Sequence, residues 1–385
     1  MLKTSLTKPV NVLAVVTAME AGGLETSLFN VLTAIDRTKF NVTIVCTGRD
    51  SNWFADELDS LGIKTLFCHN PYSQIGYVRR LGRIIRDLKI DVVFDLRDDF
   101  SASTLWAAKR AGVRSRVVWY QSSRHNFESG FLRNMYAGLM HQGVKRWATR
   151  IVGCSEKVLN VFYPGRKHDD RFTVVYNGVD LAKFVQPTPA EVSSLRKELG
   201  IPANRILIGH VGRFHRAKNH PGIIKSFARL RGELENVHLL LVGEGDLRPE
   251  VEQAIREAGV GDHVTLAGRR KDVPAMLGIM DVYFFPSVYE GMPLALAEAM
   301  TAGLPIVASN IQEIVEITPE SLRQQLFAPT DSEGLAGALK RLCLDKELRK
   351  ELGALARRHA EQHFSLQAVT EKLCRYWIMD LPDRI

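Results

Sequence analysis

Short runs of β-branched and other apolar residues alternate with amphipathic stretches of helical spacing along most of the chain. In the first half, the predicted strands are residues 10–17, 42–47, 64–67, 91–94, 116–119, 150–154 and 172–176. Strands that alternate with helices need crossover connections, which produce a parallel sheet covered by helices. The pattern therefore predicts an α/β fold.

The alternation is interrupted near residues 177–190, where Asn177-Gly178 is followed by Pro187 and Pro189, and then starts again. The predicted strands of the second half are residues 206–211, 238–242, 263–266, 282–285 and 306–308. The 385 residues are also two to four times the usual length of one domain. We therefore expect two doubly wound parallel sheets, in an N-terminal domain at residues 1–182 and a C-terminal domain at residues 183–364. Residues 365–385 are expected to form a helix that packs back on the first domain.

The functional residues are expected just after strands. Ligands of doubly wound sheets bind outside the carboxyl ends of the strands, because the connecting loops leave a crevice there. Two such sheets in tandem would face a cleft, and loops from both would line it.

Composition and charge narrow the class of protein. Hydrophobic residues make up 45% and charged residues 24%, which is ordinary for a globular chain and excludes disordered or collagen-like classes. Residues 1–182 contain 25 Lys and Arg against 17 Asp and Glu, and residues 101–150 carry nine basic residues against one acid. A field of that sign suits an anionic substrate, an anionic membrane surface or nucleic acid.

Cysteine usage and the N-terminus indicate a cytoplasmic protein. The chain has neither a signal-peptide pattern nor the ~20 uninterrupted apolar residues needed to cross a bilayer. Its cysteines are scattered without a C-x-x-C pair, so they predict mostly buried thiols and neither a disulfide framework nor a zinc site. They are Cys46, Cys68, Cys154, Cys343 and Cys374.

The most informative motif is F-P-S-V-Y-E-G-M-P-L-A-L-A-E-A-M-T-A-G-L-P at residues 285–305. Pro293 fits the first turn of a helix and Gly303 fits its end. This arrangement would place Glu290 and backbone amides at a helix N-terminus, where phosphate binds favourably. Glu298, eight residues after Glu290, can accept hydrogen bonds from sugar hydroxyls at a second level of the site. A Gly/Pro-capped core helix with two incidental acids is the alternative.

The spacing of Glu290 and Glu298 within P-S-x-x-E-G-x-P-x-x-x-x-E-A-M-x-x-G-x-P resembles the signature of family 4 glycosyltransferases of the GT-B fold. The resemblance implies two Rossmann-like domains that face a cleft, with a nucleoside diphosphate sugar as donor. It also implies that Glu290 orients the donor sugar and Glu298 the ribose. Gly291, Met292 and Leu294, in the same motif, are further expected donor contacts.

Residues 209–220, G-H-V-G-R-F-H-R-A-K-N-H, leave a predicted strand through a turn at Gly212 and present Arg213 and Lys218. Two such cations can bind a diphosphate, and each charge-assisted hydrogen bond contributes about 1.5 to 3 kcal/mol. Their charge would also stabilise a departing nucleoside diphosphate. The element resembles the family's G-R-x-x-x-x-K-N element, which binds the donor pyrophosphate. Taken alone, it is equally compatible with a solvated basic loop.

Three other elements also resemble parts of the family's nucleotide site. Gly22-Gly23 follows the first predicted strand, like the glycine loop whose amides approach the donor phosphates, and it is not the G-x-G-x-x-G of dinucleotide-binding proteins. Gly243 follows another predicted strand. Main-chain groups near Arg269 and Arg270 are expected to hold the base.

The first domain departs from the family pattern where the acceptor is expected. Polysaccharide-building relatives often have H-x-H after the strand that matches residues 117–119, whereas this chain has W-Y-Q-S-S-R-H. His125, Asp98 and Asp99 are candidates for contacting or deprotonating an acceptor hydroxyl. A solvated loop is the alternative for each of them.

Together these observations predict a metal-independent glycosyltransferase of the hexosyltransferase type, with Glu290, Arg213, Lys218 and His125 as catalytic candidates, and the resemblance implies that it retains configuration. The resemblance favours a UDP-sugar donor and a glycan or lipid-linked acceptor in envelope or exopolysaccharide synthesis, without cofactor, metal or nucleic acid. The basic N-terminal half predicts peripheral binding at the inner face of the cytoplasmic membrane. Two alternatives remain, a GT-B sugar-nucleotide epimerase or hydrolase and a catalytically silent scaffold of a membrane assembly.

Overall fold

The chain folds into two compact units. One unit extends to Gly178 and takes in the segment from Leu366 onward, and the other is Val179–Ser365. The computed structural model describes residues 6, 8–20, 22–48, 53–69, 74–123, 131–166 and 169–381, with the backbone alone at residues 131–134. Below, the two are called unit 1 and unit 2.

Unit 1 contains a seven-stranded parallel sheet in the order β3-β2-β1-β4-β5-β6-β7. Its strands are β1 (Val10–Val16), β2 (Phe40–Cys46), β3 (Lys64–Phe67), β4 (Val92–Asp95), β5 (Ser115–Tyr120), β6 (Arg150–Gly153) and β7 (Phe172–Val174). Its helices are α1 (Gly23–Ala34), α2 (Ala55–Ser60), α3 (Gln74–Asp87), α4 (Ser101–Arg110), α5 (Phe131–Trp147), α6 (Glu156–Phe162) and α15 (Leu366–Ile378).

Helices cover both faces of the unit 1 sheet, so alternate residues of β1 enter two different cores. Val12 packs with residues of α1 and α15 on one face, and Leu13 packs with residues of α3 and α4 on the other. Trp377 of α15 is fully buried, and its ring meets the edges of Phe40 and Phe94 at centroid distances of 5.6 and 5.2 Å. The C-terminal helix is therefore part of this core.

Unit 2 contains a six-stranded parallel sheet in the order β10-β9-β8-β11-β12-β13. Its strands are β8 (Ile206–Val211), β9 (Val237–Val242), β10 (Val264–Gly268), β11 (Val282–Phe285), β12 (Ile306–Ser309) and β13 (Leu326–Phe327). Its helices are α7 (Pro189–Glu198), α8 (His220–Glu233), α9 (Arg248–Glu257), α10 (Val273–Gly278), α11 (Leu294–Thr301), α12 (Gln312–Ile317), α13 (Ser332–Leu344) and α14 (Lys346–His363).

The predicted fold class is confirmed, since both units are doubly wound parallel sheets. Each strand predicted from the sequence overlaps an observed strand. The sequence missed β13, because the two residues Leu326–Phe327 are too few to show a strand pattern. The prediction of buried thiols is also confirmed, because all five cysteines are buried and free.

The order of strands reverses once in each sheet. In unit 1 the reversal falls between β1 and β4, and in unit 2 it falls between β8 and β11. Connections diverge to opposite faces at such a point, so a crevice opens outside the carboxyl ends of the two strands. The loops after these four strands are therefore the candidate ligand-binding loops. Among the helices described here, none is long and apolar enough to span a membrane.

Candidate active site

The loops after β8 and β11 are tied together in unit 2. The backbone N–H of Val288 donates to the carbonyl of Ala217 at 2.8 Å. Asn219 adopts the left-handed conformation, with φ of 55°, and its side-chain amide donates to the carbonyl of Pro286 at 3.0 Å. Asn tolerates this conformation better than most residues do. The two loops are thus held in register by direct hydrogen bonds.

Lys218 and Glu290 meet where these loops join. The Lys218 ammonium donates to Oε1 of Glu290 at 2.7 Å, and the two side chains are only 18% and 10% exposed. The ammonium also lies 4.7 Å from the centroid of the Phe285 ring. A partly desolvated ion pair of this kind fixes both groups in one orientation. The sequence predicted both residues as donor contacts, but it gave no sign that they bond to each other.

Gly212 and Gly243 let two backbone segments approach each other beside Lys218. Gly243 has a φ of 146°, and a Cβ atom at this position would clash with the carbonyl oxygen of Gly212. A Cβ atom at Gly212 would lie 3.2 Å from Cδ and Cε of Lys218. Glycine is therefore required at residue 243 by both conformation and space.

Glu298 lies on α11, and the charges of Glu298 and Glu290 both act on Tyr283 of β11. Burial raises the pKa of Tyr283 well above its usual value, and the nearby carboxylates of Glu298 and Glu290 raise that pKa further. The Tyr283 hydroxyl donates to the carbonyl of Val211 at 3.3 Å. Burial raises the pKa of Glu298 to about 7, against a lowering effect of Lys183. The structure thus places both glutamates of the motif near one buried tyrosine.

The remaining predicted residues of unit 2 differ in their surroundings. Met292 and Leu294 are buried, and α11 begins at Leu294, directly after Pro293. Gly291 is partly exposed, whereas Arg213 and Arg269 are exposed. The Arg270 guanidinium donates to both carboxylate oxygens of Asp272, at 2.7 and 2.6 Å, and to Glu198 at 2.8 Å. That side chain is engaged within the protein, so any contribution to base binding falls to the backbone there.

In unit 1, the loop after β1 contains Gly22 and Gly23 at the start of α1. Gly22 is the N-cap, and its carbonyl accepts a hydrogen bond from the backbone N–H of Thr26 at 2.9 Å. A Cβ atom at Gly23 would meet none of the described atoms within 4 Å, so among these residues the helix N-terminus is open on that side. Both residues lie at the switch point of the unit 1 sheet.

The acidic residues after β4 are buried, so the solvated-loop alternative is wrong for Asp98 and Asp99. Their exposed fractions are 4% and 0%. Asp98 has a positive φ of 49°, and its carboxylate accepts the backbone N–H of Gln121 at 3.0 Å. Asp99 bonds to Nε2 of His141 on α5 at 2.7 Å. Burial raises the pKa of Asp98 well above its usual value, and the charge of Asp99 adds to the effect. His125 lies outside the described residues.

Two features near this site were missed from the sequence. The His141–Asp99 contact joins residues 42 positions apart. Arg97 is 6% exposed, forms an ion pair with Asp95 at 3.1 Å and stacks on Tyr77 at 5.1 Å. The run D-L-R-D-D could have indicated a buried ionic network, because acids and arginines directly after a buried strand need partners. Within the described parts of the chain, no three His, Cys, Asp or Glu side chains are grouped to hold a metal ion.

Two doubly wound units, each with candidate ligand-binding loops at its switch point, match the architecture of the GT-B glycosyltransferases. The family model "Glycosyltransferase Family 4" matches residues 21–183, and the model "Glycosyl transferases group 1" matches residues 191–359. The chain belongs to the family 4 glycosyltransferases, and the family resemblance seen in the sequence is confirmed.

Individual relatives agree with this assignment. The chain is 28% identical to EpsF of Bacillus subtilis (strain 168), whose name assigns it to the glycosyltransferases, over 89% of this chain and 92% of EpsF. It is 25% identical to the UDP-Gal:alpha-D-GlcNAc-diphosphoundecaprenol alpha-1,3-galactosyltransferase of Escherichia coli, over 80% and 82% of the two chains. The fold matches the crystal structure of Anabaena HepE in complex with UDP and glucose, with a TM-score of 0.83 and 20% identity over 95% and 98% of the two chains.

Proposed function

We propose that this glycosyltransferase transfers a hexose from a UDP-sugar to a hydroxyl of a glycan or lipid-linked acceptor, with retention of configuration, in the synthesis of an envelope glycan or exopolysaccharide. The observation that carries the proposal is the contact between Lys218 and Glu290 at the switch point of unit 2. It puts a cation for the diphosphate beside a carboxylate for the sugar hydroxyls. The UDP and glucose bound to HepE and the UDP-Gal donor named for the Escherichia coli relative support the donor class.

In the proposed reaction, the acceptor oxygen attacks the anomeric carbon on the face from which the diphosphate leaves. The bond from that carbon to the diphosphate oxygen breaks, and the departing diphosphate takes the proton of the acceptor hydroxyl. Lys218 and Arg213 neutralise the negative charge that develops on the leaving group. Glu290 fixes the sugar through its hydroxyls, and Glu298 accepts hydrogen bonds from the ribose.

Metal independence is part of the proposal. Two side-chain cations supply the charge that a divalent ion supplies in other transferases, and Lys218 is already oriented by Glu290 and Phe285. Activity in EDTA equal to activity in Mg²⁺ is the expected result. Strict dependence on an added divalent cation would contradict it.

The decisive experiment incubates the protein with UDP-, GDP- and ADP-sugars, with and without an undecaprenyl-diphosphate sugar acceptor. We expect UDP release that depends on the acceptor, together with a glycosylated product. Nucleotide release without acceptor would favour a hydrolase, and interconversion of the donor sugar would favour an epimerase. No turnover with any donor would favour a scaffold. Glu290→Gln should abolish most turnover, and Glu313→Gln, which changes another buried glutamate of unit 2, is the matched control.

We further propose that unit 1 docks on an anionic membrane through α3, α4 and α5, which pack side by side. The apolar face of α3 is accounted for by the core, because Val78, Leu81 and Ile85 are buried. Of the described charged residues that remain exposed on these three helices, all but Asp87 are basic. The exposed basic residues are Arg79, Arg80, Arg83, Arg86, Lys109, Arg110, Lys145 and Arg146.

Charge and exposed apolar groups act together on this surface. Met135 and Leu139 lie one turn apart on α5 and are 53% and 60% exposed. Each basic residue near an anionic leaflet contributes about 1 kcal/mol, so a few acting together give salt-sensitive binding. Co-sedimentation should therefore increase with anionic lipid and fall at high salt. Arg79→Glu combined with Arg83→Glu should abolish it, and exchanging Lys346 and Arg358 of α14 for Glu is the control. Equal recovery on neutral and anionic vesicles would contradict this docking.

A further inference from the structure

Unit 2 contains a pair of buried histidines directly behind the Lys218 loop. His210 is the penultimate residue of β8 and His220 begins α8, and they are 0% and 1% exposed. Their rings form an edge contact with centroids 5.3 Å apart. His220 also packs on Phe214, at a centroid distance of 4.5 Å, inside the same loop. The histidine pair therefore lies beneath residues 212–219.

The orientation of the His210 ring is determined by one hydrogen bond. Its Nδ1 atom lies 2.9 Å from the carbonyl oxygen of Phe284 on β11, and a carbonyl can only accept. Nδ1 therefore carries the proton, and Nε2 presents a lone pair. Burial and the charges of His220 and Lys218 lower the pKa of His210 well below its usual value, so the ring is neutral.

Nε2 of His210 and the Lys218 stem lie on the same side of Gly212. A Cβ atom at Gly212 would lie 2.9 Å from Nε2 of His210 and 3.2 Å from both Cδ and Cε of Lys218. Nε2 and the Lys218 stem thus both border the point where a side chain of residue 212 would begin. Nε2 of His210 and both nitrogens of His220 are buried and have no hydrogen-bond partner among the residues that the structure describes. Unsatisfied buried nitrogens are costly, so their presence here calls for a role.

We propose that His210, supported by His220, is a positioning residue for Lys218, one of the two cations proposed to bind the donor diphosphate. The neutral Nε2 edge of His210 fixes the position in which Lys218 presents its ammonium to the donor. The Nδ1 bond anchors the ring to β11, the strand that leads to Glu290. The Nε2 lone pair is the negative end of the imidazole dipole, and it stabilises the nearby cation. The same strand thereby positions both members of the Lys218–Glu290 pair. This inference rests on the proposed function.

The test is a double-mutant cycle on UDP binding, measured by titration calorimetry with UDP as the probe. In His210→Asn the shorter amide can still donate to the Phe284 carbonyl, but nothing remains at the Nε2 position. In His210→Gln the amide reaches that position. His238→Asn is the matched control, because His238 is a buried histidine of the same sheet whose Nε2 bonds to Thr265.

We expect His210→Asn to weaken UDP binding at least fivefold in the wild-type background and less than twofold in the Lys218→Ala background. His210→Gln should restore at least part of the loss, and His238→Asn should change affinity less than twofold. Equal weakening with and without Lys218, or no weakening, would overturn the positioning role and leave the proposed function intact. If His210→Asn does not fold by circular dichroism, the same cycle is run with His210→Leu, which fills the space without a polar edge, and a coupling to Lys218 below twofold overturns the role. A wild type that binds none of UDP, GDP and ADP, or binding unaffected by Lys218→Ala, would overturn both proposals.

Discussion

Replacing Glu298 by glutamine should stabilise the protein at alkaline pH and leave its stability unchanged in acid. Burial raises the pKa of this carboxyl from 4.5 to about 7. Below pH 4.5 the group is protonated in the folded and the unfolded chain, so it adds no cost. As the pH rises from 4.5 to 7, the unfolded chain ionises freely, whereas the folded chain does not. Folding stability is therefore lost across this window.

The magnitude follows from the two pKa values. A rise from 4.5 to about 7 corresponds to about 3.4 kcal/mol of folding free energy above pH 7. Part of the Glu298 surface stays accessible to water, so we reduce the expected effect to about 2 to 3 kcal/mol. Glutamine resembles the protonated carboxyl in shape and cannot ionise. The gain from Glu298→Gln should therefore be below about 0.5 kcal/mol at pH 4.5 and reach about 2 to 3 kcal/mol at pH 8.

Urea unfolding followed by far-UV circular dichroism, at a series of pH values, measures this difference. The five tryptophans, Trp53, Trp106, Trp119, Trp147 and Trp377, all belong to unit 1, so their fluorescence follows the unit that the substitution leaves unchanged. Glu320→Gln, at an exposed site in unit 2, is the matched control. The reasoning is refuted if Glu298→Gln gives the same gain at pH 4.5 and pH 8, or no gain at pH 8.

The same titration should appear in donor binding. An ionised Glu298 accepts hydrogen bonds from both ribose hydroxyls, whereas the protonated acid has one acceptor fewer. UDP affinity of the wild type should therefore rise between pH 6 and 8 relative to Glu298→Gln, measured in the same buffers so that ionisation of UDP cancels. A constant ratio of the two affinities across this range would argue against contact with the ribose.

Three further predictions concern the loops of unit 2. Glu290→Gln keeps the shape of the side chain but removes the charge beside Lys218. The value of kcat/KM should therefore fall by two to three decades, about 3 to 4 kcal/mol in the barrier. An unchanged kcat/KM in steady-state assays would contradict the role of Glu290. Arg213→Ala and Lys218→Ala should each weaken UDP binding in calorimetry by about tenfold or more, as expected for one charge-assisted hydrogen bond, whereas EDTA should not change it. Gly243→Ala should lower the free energy of unfolding by about 1 to 3 kcal/mol in urea titrations, because the new methyl group meets the Gly212 carbonyl; a neutral effect would show that the backbone can separate there.

The local pattern of the sequence predicted most of the fold. Parallel strands buried on both faces are short continuous apolar runs, and such runs are visible without tertiary information. The motif at residues 285–305 likewise predicted a strand, a loop and a helix that ends before Gly303, and the structure contains β11, the loop at Glu290 and α11. Strand β13 was not predicted, because two residues are too few to show a periodicity.

The partners of the charged residues could not be predicted in the same way. Lys218 and Glu290 are 72 residues apart, and nothing local to either indicates that they bond. Asp98 and Asp99 looked like a polar loop, but the chain buries them and supplies His141 from a helix 42 residues further on. Whether such residues are exposed or buried depends on which other segments of the chain cover them. A short stretch of sequence does not contain that information.

The sequence by itself thus determined the two doubly wound sheets, the family and the loops that carry the candidate site, because periodicity, glycine and proline positions and residue spacing act over short distances. Only the tertiary structure decided that Lys218 bonds Glu290, that Glu298 is partly shielded from water, and that the histidine pair is buried. Desolvation, ion pairing and close backbone approach depend on every segment that surrounds a group. They are therefore properties of the packed chain, in which β8 and β11 lie side by side although 70 residues, 212–281, separate them in sequence.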